Sequence, residues 1–241
     1  MRSLALHLMC ILPAAILVGC SAQSRPGMAT ADVRVIAKPK TGVAEKFTHV
    51  AVYDAAPAPP VVSEQFEHVD YQNLDDIVVW LEPSNSVSMP PPEPRLIPVN
   101  ADRADDKVIP VSVGQQLTFQ NQSSQSLSLY SVSDGNEFEL KPLPPGGADH
   151  YTVRSAGQIE LLADPSKPPV AQLYAAPSPF VTRAESGRDV TFVDVPPGQY
   201  QAMSWHPRLP GASAPIALSA DQTSRCTLTV GVNNLSTAES K

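Results

Sequence analysis

The chain has 241 residues, 42% of them hydrophobic, enough for one large domain or two small ones with packed cores. Its formal charge is −7 and its pI about 5.2; an acidic surface repels phosphate backbones, and no basic stripe with interleaved aromatics is present, which argues against nucleic acid as a partner. With 26 prolines, each removing a backbone donor, long helices are excluded and short strands joined by many turns are expected.

The chain opens MRSLALHLMCILPAAILVGC, with Arg2 as a short positive start and an apolar run from Leu4 to Val18. That run is too short to span a bilayer and has the build of a secretory leader. It ends in LVGC, Leu17 to Cys20, which resembles the bacterial lipobox. The resemblance implies a diacylglycerated Cys20 thiol, removal of residues 1–19, and acylation of the new amino terminus. Each buried methylene contributes roughly 0.8 kcal/mol, so several chains anchor firmly. Ser21, not aspartate, follows Cys20. By resemblance to the enterobacterial sorting rule this implies the outer membrane, facing the periplasm or the surface. With Cys10 in the leader and Cys20 in the lipid anchor, Cys226 lacks a partner within the chain, and no disulfide is expected.

Residues 20–31 are small and polar and read as a flexible tether. Residues 32–97 read as an N-terminal β segment with a proline-rich linker. Within them VRVIAK (Val33 to Lys38) and FTHVAVYDA (Phe47 to Ala55) alternate as strands do, and DDIVVWLEP (Asp75 to Pro83) is the short apolar run of a buried strand. SVSMPPPEPRLIP, Ser86 to Pro98, is extended: a spacer between domains, or a wrapping loop inside one. From Lys107 the β pattern is steady. Val111, Val113, Leu117 and Phe119 share a face around a turn at Gly114; Leu127 and Leu129 alternate against Tyr130 and Val132. QIELLA, VAQLYAA, the pair RDVTFVDV and GQYQAMSW across a Pro-Pro-Gly turn, PIALS and RCTLTVGV follow. Cys226 alternates with Leu228 and Val230 and reads as a small buried hydrophobe. Residues 236–241 read as a disordered tail. The expected class is all-β, built of sandwiches.

The pieces VIPVSVGQQLTFQN, YSVSDGNEFEL, SAGQIEL, SPFVTRAESGRDVTFVDVPPGQY and SWHPRL resemble periplasmic cupredoxin-like proteins of the methylamine-utilisation type. The resemblance runs from residue 107 to 210 and implies a cupredoxin-like Greek-key sandwich over residues 98–176. GRDVTFVDVPPGQY, Gly187 to Tyr200, also resembles the carboxypeptidase-regulatory or transthyretin-like β-sandwich, which implies a second module over 177–235. The family motifs imply structural roles for Trp205 as a core anchor, for Tyr200 as its neighbour at the sheet edge, and for His206 as a hydrogen-bonding group across the seam between the modules.

A type-1 copper site needs two imidazoles and a thiolate with a weak axial ligand such as methionine. Carried across the resemblance, the first histidine falls near Leu127 or Ser128, the cysteine near Leu162, the second histidine near Pro165 and the methionine near Pro168. Between Gln120 and Val181 the only histidine is His150, and there is no cysteine or methionine. No metal and no cofactor is expected.

Phosphate-loop, dinucleotide, serine-hydrolase and zinc-protease signatures are absent. His49, His68, His150 and His206 stand apart, without metal-ligand spacing, and the pairs Asp75-Asp76 and Asp105-Asp106 read as solvated charges. In FEHVDYQNLDD, Phe66 and Tyr71 offer rings on which a sugar or peptide could stack. The expectation is a non-catalytic lipoprotein with an envelope protein as partner. It would be a metal-free cupredoxin-like binding or scaffold module, with copper electron transfer and carbohydrate binding as the alternatives.

Overall fold

The computed structural model describes residues 24–39, 69–101 and 107–232. The leader 1–19, Cys20, the strand expected at Phe47–Ala55, Phe66, His49, His68, Asp105-Asp106 and the tail 236–241 lie outside these residues.

The described chain is all-β. β1 (Ala29–Ala37) and β2 (Ile77–Pro83) come first. Eight strands follow: β3 (Arg95–Val99), β4 (Val108–Ser112), β5 (Gln116–Asn121), β6 (Tyr130–Ser131), β7 (Phe138–Glu139), β8 (Ala148–Thr152), β9 (Gly157–Leu161) and β10 (Ala171–Ala176). The last five are β11 (Val181–Ala184), β12 (Asp189–Val195), β13 (Gly198–His206), β14 (Leu209–Leu218) and β15 (Thr223–Val230).

β3 to β10 form one sandwich. Sheet β3-β5-β8 faces sheet β4-β10-β9, with β6-β7 as a small ribbon. Ile97, Leu117, Phe119 and Tyr151 from one sheet meet Val111, Ile159, Leu161 and Leu173 from the other. Two parallel pairs, β3 with β5 and β4 with β10, arise because successive strands alternate between the sheets. The second sandwich takes its strands from both ends of the chain. Sheet β12-β1-β15 packs on sheet β11-β2-β13-β14 around Val33, Val35, Ile77, Leu81, Tyr200 and Leu228. The first sandwich is therefore an insertion between β2 and β11.

This connectivity differs from the expected division at two places. Residues 32–97 are not a unit of their own: β1 lies between β12 and β15, β2 lies between β11 and β13, and β3 belongs to the inserted sandwich. Residues 20–31 are not tether throughout. Ala29 and Ala31 are fully buried in β1, and the chain is pinned from Ser24 onward. Asp194 accepts bonds from the Arg25 backbone (2.5 Å), and Asp221 accepts from the Gly27 N–H (2.7 Å). Alanines that alternate inward supply strand periodicity without bulk, so a composition of small residues resembled a linker.

β2 shows why an unbroken apolar run was needed. Ile77, Val79 and Leu81 point into the second sandwich's core. Val78 and Trp80 point the other way, into a third cluster with Val108 and Ala176 of the inserted sandwich. Covered on both faces, the strand buries five consecutive side chains. At this seam Tyr174 of β10 enters between Trp80 and Trp205. Its ring stacks on Trp205 at 4.3 Å between centroids and tilts against Trp80 at 5.6 Å. The proline-rich segment closes the arrangement from outside, with Val87 and Met89 packed against the second sandwich's core.

The chain has two tryptophans, and both flank Tyr174. Tyr174→Ala should cost roughly 2–4 kcal/mol through the lost ring contacts and the cavity left behind. Intrinsic fluorescence should shift to the red before global unfolding in urea. An unchanged emission maximum and midpoint would show that the seam does not depend on this ring.

Candidate functional site

The segment from β5 to β7 is held by buried polar side chains and short backbone ladders. Asn121 ends β5 fully buried; its amide donates to the carbonyls of Gln125 (2.7 Å) and Leu143 (2.9 Å), and its oxygen accepts from the Ser123 N–H (2.8 Å). Leu127 and Leu143 exchange two backbone bonds of 2.9 and 2.7 Å, as do Tyr130 and Leu162 at 3.0 and 2.8 Å. A second buried amide, Asn136, gathers the next turn. Its oxygen accepts from the Tyr151 hydroxyl (3.1 Å) and the Arg154 N–H (3.0 Å), and its nitrogen donates to the Ser155 carbonyl (2.9 Å). Gly135 precedes it at φ 71, where an added Cβ would lie 2.5 Å from the Ser155 hydroxyl, so both conformation and space demand glycine.

The residues to which the resemblance carries the copper ligands are scattered between core and loop. Leu127 is buried in the inserted sandwich's core, Ser128 is exposed, Leu162 is held by its backbone, and Pro165 and Pro168 lie exposed in the loop between β9 and β10. None offers a thiolate, an imidazole or a thioether, so these residues do not fit copper. His150 projects from β8 into solvent, its Nδ1 3.6 Å from the Asp149 carboxylate. Among the described residues no group of three His, Cys, Asp or Glu side chains is placed to hold a metal ion. Cys226 is half-buried against the second sandwich's core, and burial pushes its thiol up.

Three residues of the closing motifs take places different from those expected. Tyr200 is not at a sheet edge but in an inner strand, β13, 1% exposed, on the face toward the core. Its hydroxyl donates to the Pro196 carbonyl at 2.8 Å, and Gly198 leaves room for the ring, whose Cε2 lies 3.3 Å from where a Cβ would stand. The Pro-Pro-Gly-x-Tyr spacing is thus one device: acceptor, clearance and plug. Trp205 lies on the opposite face of β13 and anchors the seam rather than a sandwich interior. His206 returns to the inner face and does not reach across the seam. Its Nδ1 accepts from the Arg208 N–H at 3.1 Å, and its ring bonds to the Asp75 backbone.

With Nδ1 committed as an acceptor, this ring is built to be neutral. Burial first, and the Arg208 charge second, hold its pKa down at about 4 from 6.5, against a smaller opposing pull from Asp75.

Asp76 was expected as a solvated charge and is instead a latch between the sandwiches. At φ 56 it turns the chain into β2 and accepts from the Val108 N–H of β4 at 3.0 Å, with Arg183 of β11 at 3.6 Å. Burial raises its pKa despite these partners. Aspartate tolerates this left-handed conformation better than most residues, the one local signal for it. Tyr71 is half-buried and packs on the second sandwich's core, where burial raises its hydroxyl pKa; Phe66, its expected companion, lies outside the described residues.

Between the sandwiches runs a cleft of about 490 Å³, walled by β3 and β4 on one side and β11 on the other. Arg95, Lys107 and Arg183 are among its described lining residues, and Arg183 is paired with Asp76.

No family model matches the chain, and no curated protein is similar to it in sequence. Among solved structures it is similar to a purple cupredoxin from Nitrosopumilus maritimus, with 17% identity over 29% of this chain and 77% of that one, at a TM-score of 0.25. It is also similar to two Cu(I) forms of amicyanin variants. One has 22% identity over 33% of this chain and 81% of amicyanin, the other 20% over 34% and 82%, both at a TM-score of 0.27. Likeness at this level carries no argument about activity.

The histidine gives a pH test. Between pH 6.5 and 4 the unfolded chain takes a proton on this ring that the folded chain refuses. Stability is therefore complete above that window and falls as pH drops through it. From about pH 7.5 to about pH 5 the loss from this group should be about 2 kcal/mol in urea unfolding, and His206→Gln should remove that part of the slope. Equal slopes in both proteins would mean that the ring titrates normally.

Proposed function

We propose that the protein is a non-catalytic binding or scaffold module of the bacterial envelope, anchored through lipid on Cys20, in which a cupredoxin-like sandwich has become a structural part. The observation that carries this is the pairing of an intact frame with inert side chains. Asn121 and the Leu127–Leu143 and Tyr130–Leu162 pairs hold the loops together, while leucine, serine and prolines stand where donors would be needed.

Anchoring follows from the LVGC motif and from spacing. Only residues 21–23 separate Cys20 from Ser24, where the described fold begins. At ~3.6 Å per residue this path spans at most about 14 Å. The folded part would stand close to the bilayer, in a restricted orientation, and a partner would be met there. The outer membrane is the destination that Ser21 suggests.

Two experiments test this reading. Copper(II) added to the mature chain should give no intensely blue stoichiometric species, with Cys226→Ser as the control for thiol binding; such a species would replace scaffold by electron transfer. Crosslinking and pull-down from the native membranes should recover one partner at near one-to-one with the lipidated protein and lose it with Cys20→Ala. Recovery of no partner with either form would overturn the scaffold reading.

A further inference from the structure

Resting on the lipid-anchor reading, we propose that the face around a proline-walled groove beside Arg25 lies against the bilayer, so that the opposite end of the inserted sandwich is the one presented to a partner. The groove, of about 340 Å³, runs between the proline-rich segment, the last residues of β4, the start of β11 and the end of β12. Arg25 stands at its rim, pinned to Asp194 by a backbone bond of 2.5 Å and an ion pair of 3.1 Å. The chain leaves for Cys20 from there. Five residues at ~3.6 Å each cover at most about 18 Å, which keeps the lipid close to this groove. The stretch that adjoins it, Cys20 to Gln23, carries no charged side chain. The other described chain ends leave from elsewhere. Ala37, just before residues 40–68, pairs with Val230 at the end of β1 opposite to Ala29. Asn100, just before 102–106, follows the end of β3 opposite to Arg95.

The chemistry of the rim suits a lipid surface. Pro90, Pro91, Pro92, Pro110 and Pro179 line the groove. A proline has no N–H to strip of water, so such a wall loses less on approaching a surface of low polarity than ordinary backbone does. Pro90 and Pro91 are exposed, and Val193, at 37%, is one of the few large apolar side chains left in solvent among the described residues. The lining charges are two cations and two carboxylates: Arg25, Arg95, Glu93 and Asp194. Arg25 pairs with Asp194, and the Arg95 guanidinium donates to the Pro110 carbonyl at 2.6 Å. A near-neutral, donor-poor rim beside a lipidation point fits the headgroup boundary, with the arginine stems lying along it. Contact on this face also decides what points outward. Ser112 lines the groove and pairs with Ala176. On β10 and β9, Ala175 meets Gly157 and Ala171 meets Leu161, so the loop from Leu162 to Pro169 lies at the other end of that sheet.

The test uses the lipidated protein carrying Cys226→Ser, reconstituted in vesicles of phosphatidylethanolamine with phosphatidylglycerol. A nitrobenzoxadiazole dye is placed at Pro91→Cys, at Val193→Cys or, in the distant loop, at Lys167→Cys. Nitroxide-headgroup lipids should quench the Pro91 and Val193 sites at least about two-fold more than the Lys167 site. Val193→Glu should remove the excess quenching at the Pro91 site, because a carboxylate resists leaving water. Unchanged tryptophan emission shows that each variant is folded.

Quenching no greater at the Pro91 and Val193 sites than at the Lys167 site overturns the proposal, and so does excess quenching that survives Val193→Glu. Shielding of the two sites in native membranes but not in protein-free vesicles would give this face to a protein and replace the bilayer contact. The mass of the amino-terminal peptide reports the anchor separately. With diacylglycerol on Cys20 and no site-selective quenching, the orientation fails while the anchoring reading stands. Without diacylglycerol on Cys20, the anchoring reading fails and the orientation with it.

Discussion

The insertion of Tyr174 between Trp80 and Trp205 is the contact on which the rest of the molecule depends. It buries the outer faces of β2 and β13, which would otherwise expose Val78, Trp80, Met203 and Trp205 as one apolar patch. A patch of that kind on a lone sandwich would be an aggregation surface. Covering it joins the two sandwiches through an apolar cluster. Asp76 then adds direction: its bond to the Val108 N–H and its charge pair with Arg183 fix how β4 meets β11. The apolar cluster supplies contact area, and the carboxylate restricts the relative setting of the two walls that enclose the cleft.

The second sandwich solves a different problem, that of polar groups on a buried face. Tyr200, Ser204 and His206 all point inward from β13. Each has a partner: Pro196 carbonyl for the tyrosine, Ala212 backbone for the serine, Arg208 N–H for the histidine. A buried polar atom without a partner costs on the order of 1–3 kcal/mol, so these local bonds decide whether the strand can lie where it does. All three partners come from the same strand's flanks or from β14. The motif Pro-Pro-Gly-x-Tyr through Trp-His-Pro-Arg is therefore nearly self-contained, and for that reason it is recognisable in sequence.

Local legibility explains what could be read in advance and what could not. The apolar run of β2, the alternation of Leu127 and Leu129 against Val132, and the turn before Tyr200 each express their structure within a few residues. The stretch from Phe119 to Leu140 was legible in the same way, because its short strands and its turn at Gly135 lie within it. What could not be read is what long-range pairing decides. β1 joins β15 in parallel across nearly the whole chain, a partnership that no local period encodes. The strand Ala148–Thr152 was missed because only Tyr151 of its five residues is buried. Asp76 looked like one of two exposed acids, since its role depends on Val108 and Arg183, which are far away in sequence. Tyr200 and Trp205 were paired on family pattern, although an odd separation along a strand sets them on opposite faces.

The loops of the inserted sandwich are tied down by side chains as well as by strand pairing. Buried Asn121 bonds to backbone at Gln125 and Leu143, buried Asn136 bonds to backbone at Arg154 and Ser155, and Phe138 stacks on Tyr151 at 4.0 Å. Local side-chain bonds of this kind set the loops, while the cluster of Val78, Trp80, Val108 and Ala176 with Tyr174 and Trp205 sets the two sandwiches against each other.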